Sequence, residues 1–266
     1  VERLRGMFAF AIWDPAAQRV LLARDRLGIK PLYYSATPRR FLFASEVRAL
    51  LASGEVEARL DLDSFWHYLG YQTAPTPATL LEGVRVLEPG SVLTVAHTGA
   101  IRVRRYWDLI DAAGRQITDD SPAQVRAQVQ ERLLDAVQSH LIGDVPVGVF
   151  LSRGIDSGAL VSLVRSAGAT PHTFTVTVEE EAFDESTQAG LVARHFGAEH
   201  VEVRLEAATL LEMMPEVVHA VDHPSGDGVN TFVIARAVRD QGLKVALSGL
   251  GGDEMFGGYP WRYYRA

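Results

Sequence analysis

The sequence predicts an α/β chain in two parts, short antiparallel strands first and a mostly parallel, doubly wound sheet second. Three observations predict it. Residues 1–110 carry short apolar runs cut by turn residues. Residues 111–121 are polar, with Gly114, Asp119 and Asp120 running into Pro122, and read as a linker. Residues 122–266 alternate helix-period and strand-like segments, the grammar of βαβ units with helices on both faces of a sheet.

In the first part, the apolar and aromatic run 7–13 closes at Asp14-Pro15, a turn signal. Short strands follow at 20–23, 31–35 and 41–44, with a charged loop at 25–30 that contains Gly28. The brief connections imply antiparallel pairs. Residues 45–51 read as a helix ended by Gly54, and 63–70 as a second helix capped by Asp61 or Asp63. Residues 91–95 and 101–106 form a hairpin around Thr98-Gly99. In the second part, Val125, Val129, Leu133, Val137 and Leu141 recur every four residues, an amphipathic helix. Residues 145–151 are a nearly continuous apolar run, the pattern of a strand buried on both faces. Helices are expected at 157–167, 186–196 (ended by Gly197), 210–221 and 231–241. Strands are expected at 172–178, 200–205 and 243–247.

Composition bounds the function. Net charge is −7 and no long basic run occurs, which argues against a nucleic-acid partner. No stretch approaches the ~18 consecutive apolar residues of a membrane span. Cysteine is absent, so disulfides, thiolate metal sites and a Cys nucleophile are excluded within these residues, and a cytoplasmic location fits. The first residues, Val1-Glu2-Arg3-Leu4-Arg5, carry neither an initiator Met nor a signal pattern, and the last, 261–266, stop among aromatics. Truncation at both ends is the expectation.

Ligands of an open parallel sheet bind beyond the C-terminal ends of its strands, and two such ends carry unusual loops. The first follows Leu151: Ser152-Arg153-Gly154-Ile155-Asp156-Ser157, then a helix. A helix N-terminus presents unpaired N–H groups and a positive dipole end to phosphate oxygens. Gly154 admits close backbone approach, Ser152 and Ser157 add hydroxyls, and Asp156 suits Mg²⁺ bridging phosphate oxygens. The alternative is a tight turn into a helix capped by Asp156 or Ser157. The second loop is Ser248-Gly249-Leu250-Gly251-Gly252-Asp253-Glu254. It is no Walker A loop, and Glu254 stands where a dinucleotide fingerprint needs its third glycine. Its alternative is a glycine-rich turn with a solvated acidic end.

Residues 152–157 resemble the Ser-Gly-Gly-x-Asp-Ser signature of the ATP pyrophosphatases, which cleave ATP between the α and β phosphates. The second loop, with Phe256-Gly257-Gly258-Tyr259, resembles the matching motif of the glutamine-dependent asparagine synthetases. Gly6-Met7-Phe8-Ala9-Phe10-Ala11, the stretch 24–34 and Ala44-Ser45-Glu46 resemble the later part of that family's glutaminase domain. The resemblance implies a truncated Ntn-type amidotransferase sandwich over 1–110, a linker over 111–121 and an adenine nucleotide alpha-hydrolase-like synthetase domain over 122–266. It implies a ligase of asparagine biosynthesis that activates aspartate as β-aspartyl-AMP and takes nitrogen from glutamine or ammonia. ATP and Mg²⁺ are the implied cofactors, and a homodimer is compatible with it. Carried over by motif, Leu151, Val176, Ser248 and Gly249 contact the adenosine part, while Ser152, Gly154, Asp156 and Ser157 grip pyrophosphate. Asp156 and Asp253 hold Mg²⁺.

The chain departs from the pattern in three places. Arg153 replaces a signature glycine. If that position takes positive φ, the substitution stores roughly 1–3 kcal/mol of strain; otherwise Arg153 adds a phosphate contact or blocks the site. Leu250 stands where many members carry Glu. The family's N-terminal Cys nucleophile is missing from the sequence, so glutamine hydrolysis by that route is not expected of these residues. Another ATP-dependent amidating or cyclising ligase, or a degenerate nucleotide-binding homologue, are the alternative functions. Elsewhere, Arg24-Asp25-Arg26 reads as a structural loop. His219, Asp222, His223 and Asp227 read as structural or as lining the carboxylate pocket rather than as a metal cluster. His140, His195 and His200 read as non-catalytic, and Trp13, Trp66 and Trp107 as core or interface aromatics.

Overall fold

The computed structural model describes residues 1–114, 119–178, 186–222 and 227–259. Two compact units emerge, 1–118 with 221–226, and 119–220 with 227–266.

In the first unit, β1 (Ala9–Asp14), β2 (Arg19–Arg24), β6 (Ser91–Ala96) and β7 (Ile101–Arg105) form an antiparallel sheet in the order β1-β2-β6-β7. β3 (Tyr33–Ala36), β4 (Phe41–Ala44) and β5 (Val84–Val86) form a second, ordered β4-β3-β5. The expected strands are all present, and β5 is an addition too short to show a period. Leu22, Leu32, Leu87, Leu93 and Val95 make a core against which Tyr34 and Phe41 of the second sheet pack. α1 (Val47–Ala52) and α2 (Leu62–Tyr71) follow the sequence reading, with Asp61 accepting a hydrogen bond from Ser64 N as the α2 cap. Trp13 and Trp66 are 57% and 77% exposed, so neither is a core aromatic here.

The loop after β2 is structural, as its residues suggested. Asp25, 1% exposed, accepts from the N–H groups of Phe8, Ile29 and Lys30 at 2.9–3.2 Å. Arg24 donates to the carbonyls of Lys30, Leu87 and Gly28 at 2.6–2.8 Å. Buried polar groups persist only when paired in this way. Asp222 is also a first-unit residue: it accepts from the N–H groups of Val47 and Arg48 at 2.5 and 3.0 Å, capping α1. A five-residue helix, α3 (Leu109–Ala113), occupies part of the stretch read as linker.

In the second unit, α4 (Pro122–His140) opens with a capping box between Ser121 and Gln124. Of its apolar stripe, Val137 is buried whereas Val125 is 41% exposed. β8 (Val147–Phe150), α5 (Ile155–Ser166), β9 (His172–Val178), α6 (Ser186–Phe196), β10 (Glu199–Leu205), α7 (Ala207–Ala220), α8 (Gly228–Asp240), β11 (Val245–Leu247) and α9 (Gly252–Phe256) complete it. The sheet is parallel throughout, ordered β10-β9-β8-β11. Val137, Val149, Val161, Val164, Ala189 and Ala193 bury one face beneath α4, α5 and α6. Phe174, Val238 and Leu243 bury the other beneath α8. The sheet is therefore doubly wound, as the alternating sequence predicted. No helix among the described residues is long and apolar enough to cross a membrane. The aromatic tail 261–266 and His223 lie outside the described residues.

Candidate active site

The strand order places the site. β9 and β10 extend the sheet on one side of β8, and β11 lies on the other. The order reverses between β8 and β11, and a crevice opens at the C-terminal ends of such a pair. Both unusual loops leave there, 151–157 after β8 and 248–254 after β11.

Leu151 is pinned at the mouth: its N–H donates to Phe174 O at 2.8 Å, and its carbonyl accepts from Thr175 Oγ1 at 2.6 Å. Ser157, 7% exposed, closes the loop. Its hydroxyl accepts from Ser152 N at 3.1 Å and reaches the carbonyls of Ser152 and Gly154 at 3.3 and 3.1 Å. Ser152 Oγ accepts from Gly154 N at 3.1 Å. Gly154, neither Asp156 nor Ser157, is the N-cap of α5, and no side chain caps the helix. The alternative of a self-capped helix fails, and the first turn of α5 keeps its dipole end for a ligand.

The second loop closes against the first. A β-carbon on Gly249 would stand 3.1 Å from Asp156 Cβ, and one on Gly252 2.5 Å from Asp156 Cγ. A side chain at Gly252 would displace the Asp156 carboxylate, and one at Gly249 would press its neighbours by a few tenths of an ångström. Gly251 (φ +97°) and Gly257 (φ +75°) turn the chain into and out of α9 in the left-handed region. A side chain on Gly258 would collide with Asp253. That return brings the Tyr259 hydroxyl to Glu254 Oε1 at 2.5 Å.

Between the loops lies a cavity of about 450 Å³, a size common for small-molecule sites. Leu151, Ser152, Gly154, Asp156, Ser157, Val176, Ser248, Gly249 and Asp253 all line it. Sequence reasoning missed Asn230, Thr231 and Ile234 of α8, which form another wall with Asp227. Four carboxylates face the cavity, those of Asp156, Asp227, Asp253 and Glu254, and its described lining includes no Lys, Arg or His. No group of three or more His, Cys, Asp or Glu among the described residues is arranged to hold a metal. The donor set suits a hard cation bound through one or two carboxylates with phosphate oxygens completing its shell, as Mg²⁺ prefers.

Arg153 does not behave as the signature suggested. It is exposed, it is not among the lining residues, and its φ is not positive. The expected strain is absent. Leu250, 85% exposed, lines the cavity.

A family model described as asparagine synthase matches residues 128–266. The chain belongs to the asparagine synthase family. A glutamine amidotransferase domain model matches residues 1–107. Asparagine synthetase [glutamine-hydrolyzing] 1 of Bacillus subtilis is 35% identical over 261 residues, 97% of this chain and 40% of the relative. A putative asparagine synthetase [glutamine-hydrolyzing] of Mycobacterium tuberculosis is 38% identical over 265 residues, with the same coverage. Amidase chyE of Penicillium rubens is 32% identical over 279 residues, again 97% of this chain and 40% of the relative. The chain thus spans about 40% of the length of these relatives. The asparagine synthase match includes both loops, so the crevice at the β8–β11 reversal lies within that family's domain.

Proposed function

We propose that the second unit binds ATP with Mg²⁺ in the crevice and adenylates the β-carboxylate of aspartate. In the full-length protein, the product then becomes asparagine with nitrogen from glutamine or ammonia. A carboxylate oxygen attacks the α-phosphorus, the bond to the bridging oxygen breaks, and pyrophosphate leaves with the electron pair. An amine nitrogen next bonds to the acyl carbon, loses a proton, and displaces AMP.

The observation that carries this reading is the uncapped first turn of α5 facing a cavity shared with the Gly249–Gly252 turn. In the proposed pose, Ser152, Gly154 and the first N–H groups of α5 hold pyrophosphate oxygens, and Ser157 keeps that loop in shape. Leu151, Val176, Ser248 and Gly249 flank the adenosine part. Asp156 and Asp253 hold Mg²⁺, which supplies charge neutralisation at the phosphates that no described lining side chain provides. The protein contributes position and electrostatics rather than covalent chemistry.

The test is oxygen-isotope transfer in the full-length protein. Aspartate labelled in its β-carboxylate should pass one labelled oxygen to AMP, with pyrophosphate as co-product. Formation of ADP, or AMP without label, overturns the proposal. One observation favours a second reading: Leu250 presents an exposed apolar side chain in the cavity lining. The same adenylation would then act on a different carboxylate, and label transfer from that acid alone would select it.

A further inference from the structure

α1 begins at Val47, and its own N-cap residue, Glu46, makes no capping hydrogen bond. The first N–H groups of a helix have no partner within it. Those of α1 are met by a residue 175 positions along the chain. Asp222 Oδ2 accepts from Val47 N at 2.5 Å, and Oδ1 accepts from Arg48 N at 3.0 Å and from Arg48 Nε at 3.3 Å. Hydrogen bonds to a carboxylate are roughly twice as strong as neutral ones. The Asp222 side chain is 16% exposed. α1 is itself anchored, since Val47 and Leu50 are buried with Tyr33 and Val84.

Asp222 does not line the cavity, so the proposed chemistry leaves it unused. Its place along the chain gives it a use. α7 ends at Ala220, and α8 has its N-cap at Asp227. The stretch 221–226 groups with the first unit, whereas α7 and α8 belong to the second. Glu216 of α7 and Arg236 of α8 form an ion pair at 2.6 Å. Asn230, Thr231 and Ile234 of α8 form a wall of the cavity. The five residues from Asp222 to Asp227 reach at most ~18 Å, so the hold on Asp222 limits where α8 can begin.

We infer that Asp222 is a positioning residue: through the cap it gives α1, it fixes the start of α8 and with it the α8 wall of the crevice. The crevice thereby depends on a helix of the part that matches a glutamine amidotransferase domain. This rests on the adenylation reading and adds a residue that acts on it from outside the cavity.

The test is ATP–pyrophosphate exchange with aspartate by the full-length protein. The proposed pose gives the nucleotide to β9 and to the loops after β8 and β11, so a displaced α8 should be felt by the carboxylate substrate. Asp222→Ala should raise the aspartate KM by ~10-fold, with kcat and the KM for ATP within ~3-fold. Asp222→Asn keeps one acceptor oxygen and a capping side chain, and should raise it by ~3-fold or less. Val47→Pro removes the N–H that Oδ2 accepts, at a helix position that suits proline. It should raise the aspartate KM by ~5-fold to ~10-fold, although it lies in α1. The double variant should stay within ~2-fold of Asp222→Ala, because both changes remove one interaction. Should Val47→Pro fail to fold, the order of KM values, Ala above Asn above wild type, decides. An aspartate KM within ~2-fold of wild type in Asp222→Ala overturns the inference alone and leaves Asp222 a cap of α1 only. Equal KM values for the Ala and Asn variants overturn it too, as do factors that multiply in the double variant. A wild type that does not exchange with aspartate overturns the adenylation of aspartate and the inference with it.

Discussion

The carboxylate of Asp156 lies against the α-carbon of Gly252, so close that a β-carbon there would stand 2.5 Å from its carboxyl carbon. Gly252 does not have positive φ, unlike its neighbour Gly251. Space, not backbone freedom, is what this glycine supplies. Gly252→Ala should therefore leave α9 able to form while displacing Asp156. The expected outcome is a loss of Mg²⁺–ATP affinity of ~10-fold or more, equivalent to about 1.4 kcal/mol, read by calorimetric titration. Wild-type affinity in that variant would show that Asp156 has no part in holding the nucleotide.

Arg153→Gly restores the signature glycine, and the structure predicts no benefit. Arg153 is exposed, has no positive φ, and is absent from the cavity lining. Glycine adds freedom to the unfolded chain and removes the side chain's own interactions, which should cost about 0.4–1 kcal/mol or more of stability in denaturant unfolding. ATP affinity should stay within ~2-fold of wild type. A tenfold gain in affinity would instead mean that the arginine obstructs the site.

The two loops were legible because glycines and acids at strand ends are local signals, and all nine residues drawn from them and from β9 line one cavity. β4, β9 and α6 span the residues the sequence assigned them, since an apolar run between turn residues, β-branching and a terminal glycine are local signals too. The α8 wall was not, because which face of a helix meets a cavity is decided by tertiary packing, and Asn230 and Thr231 look like any polar helix start. β5 and α9 are too short, at 3 and 5 residues, for a period to register. Arg153 misled for another reason. A glycine in a motif suggests positive φ, yet glycine also serves where the backbone is ordinary. Trp66, with Leu62 and Leu69, shows the limit of hydrophobic pattern, since all three are exposed on α2.

Asp25 should be the most sensitive polar position of the first unit. Removing its side chain by Asp25→Ala leaves the N–H groups of Phe8, Ile29 and Lys30 without their carboxylate acceptor. These hydrogen bonds are part-buried, and an orphaned donor costs up to ~1–3 kcal/mol where water does not replace its partner. The expected loss is about 1–3 kcal/mol in urea unfolding. Asp25→Asn keeps one acceptor oxygen and should lose less. A change below ~1 kcal/mol for Asp25→Ala would mean that water replaces the carboxylate at no cost.

His200 should make the stability of the second unit depend on pH. Its side chain is 14% exposed, and burial holds the imidazole below its ordinary value; Glu202 opposes that shift and Arg194 adds to it. Thr173 Oγ1 lies 2.9 Å from His200 Nδ1 and 3.3 Å from Glu199 O. Nε2 is buried with no hydrogen-bond partner, 3.6 Å from Glu202 Oε1. Because the folded value lies below the unfolded one, the unfolded chain binds more protons in the interval between them. The contribution of neutral His200 is fully present above the unfolded value of about 6.5 and is lost as pH falls below it. Urea midpoints measured from about pH 7.5 down to about pH 5 should fall in the wild type. They should fall less steeply in His200→Asn, which cannot charge. Parallel curves for the two proteins would show that the ring is protonated at no cost where it lies.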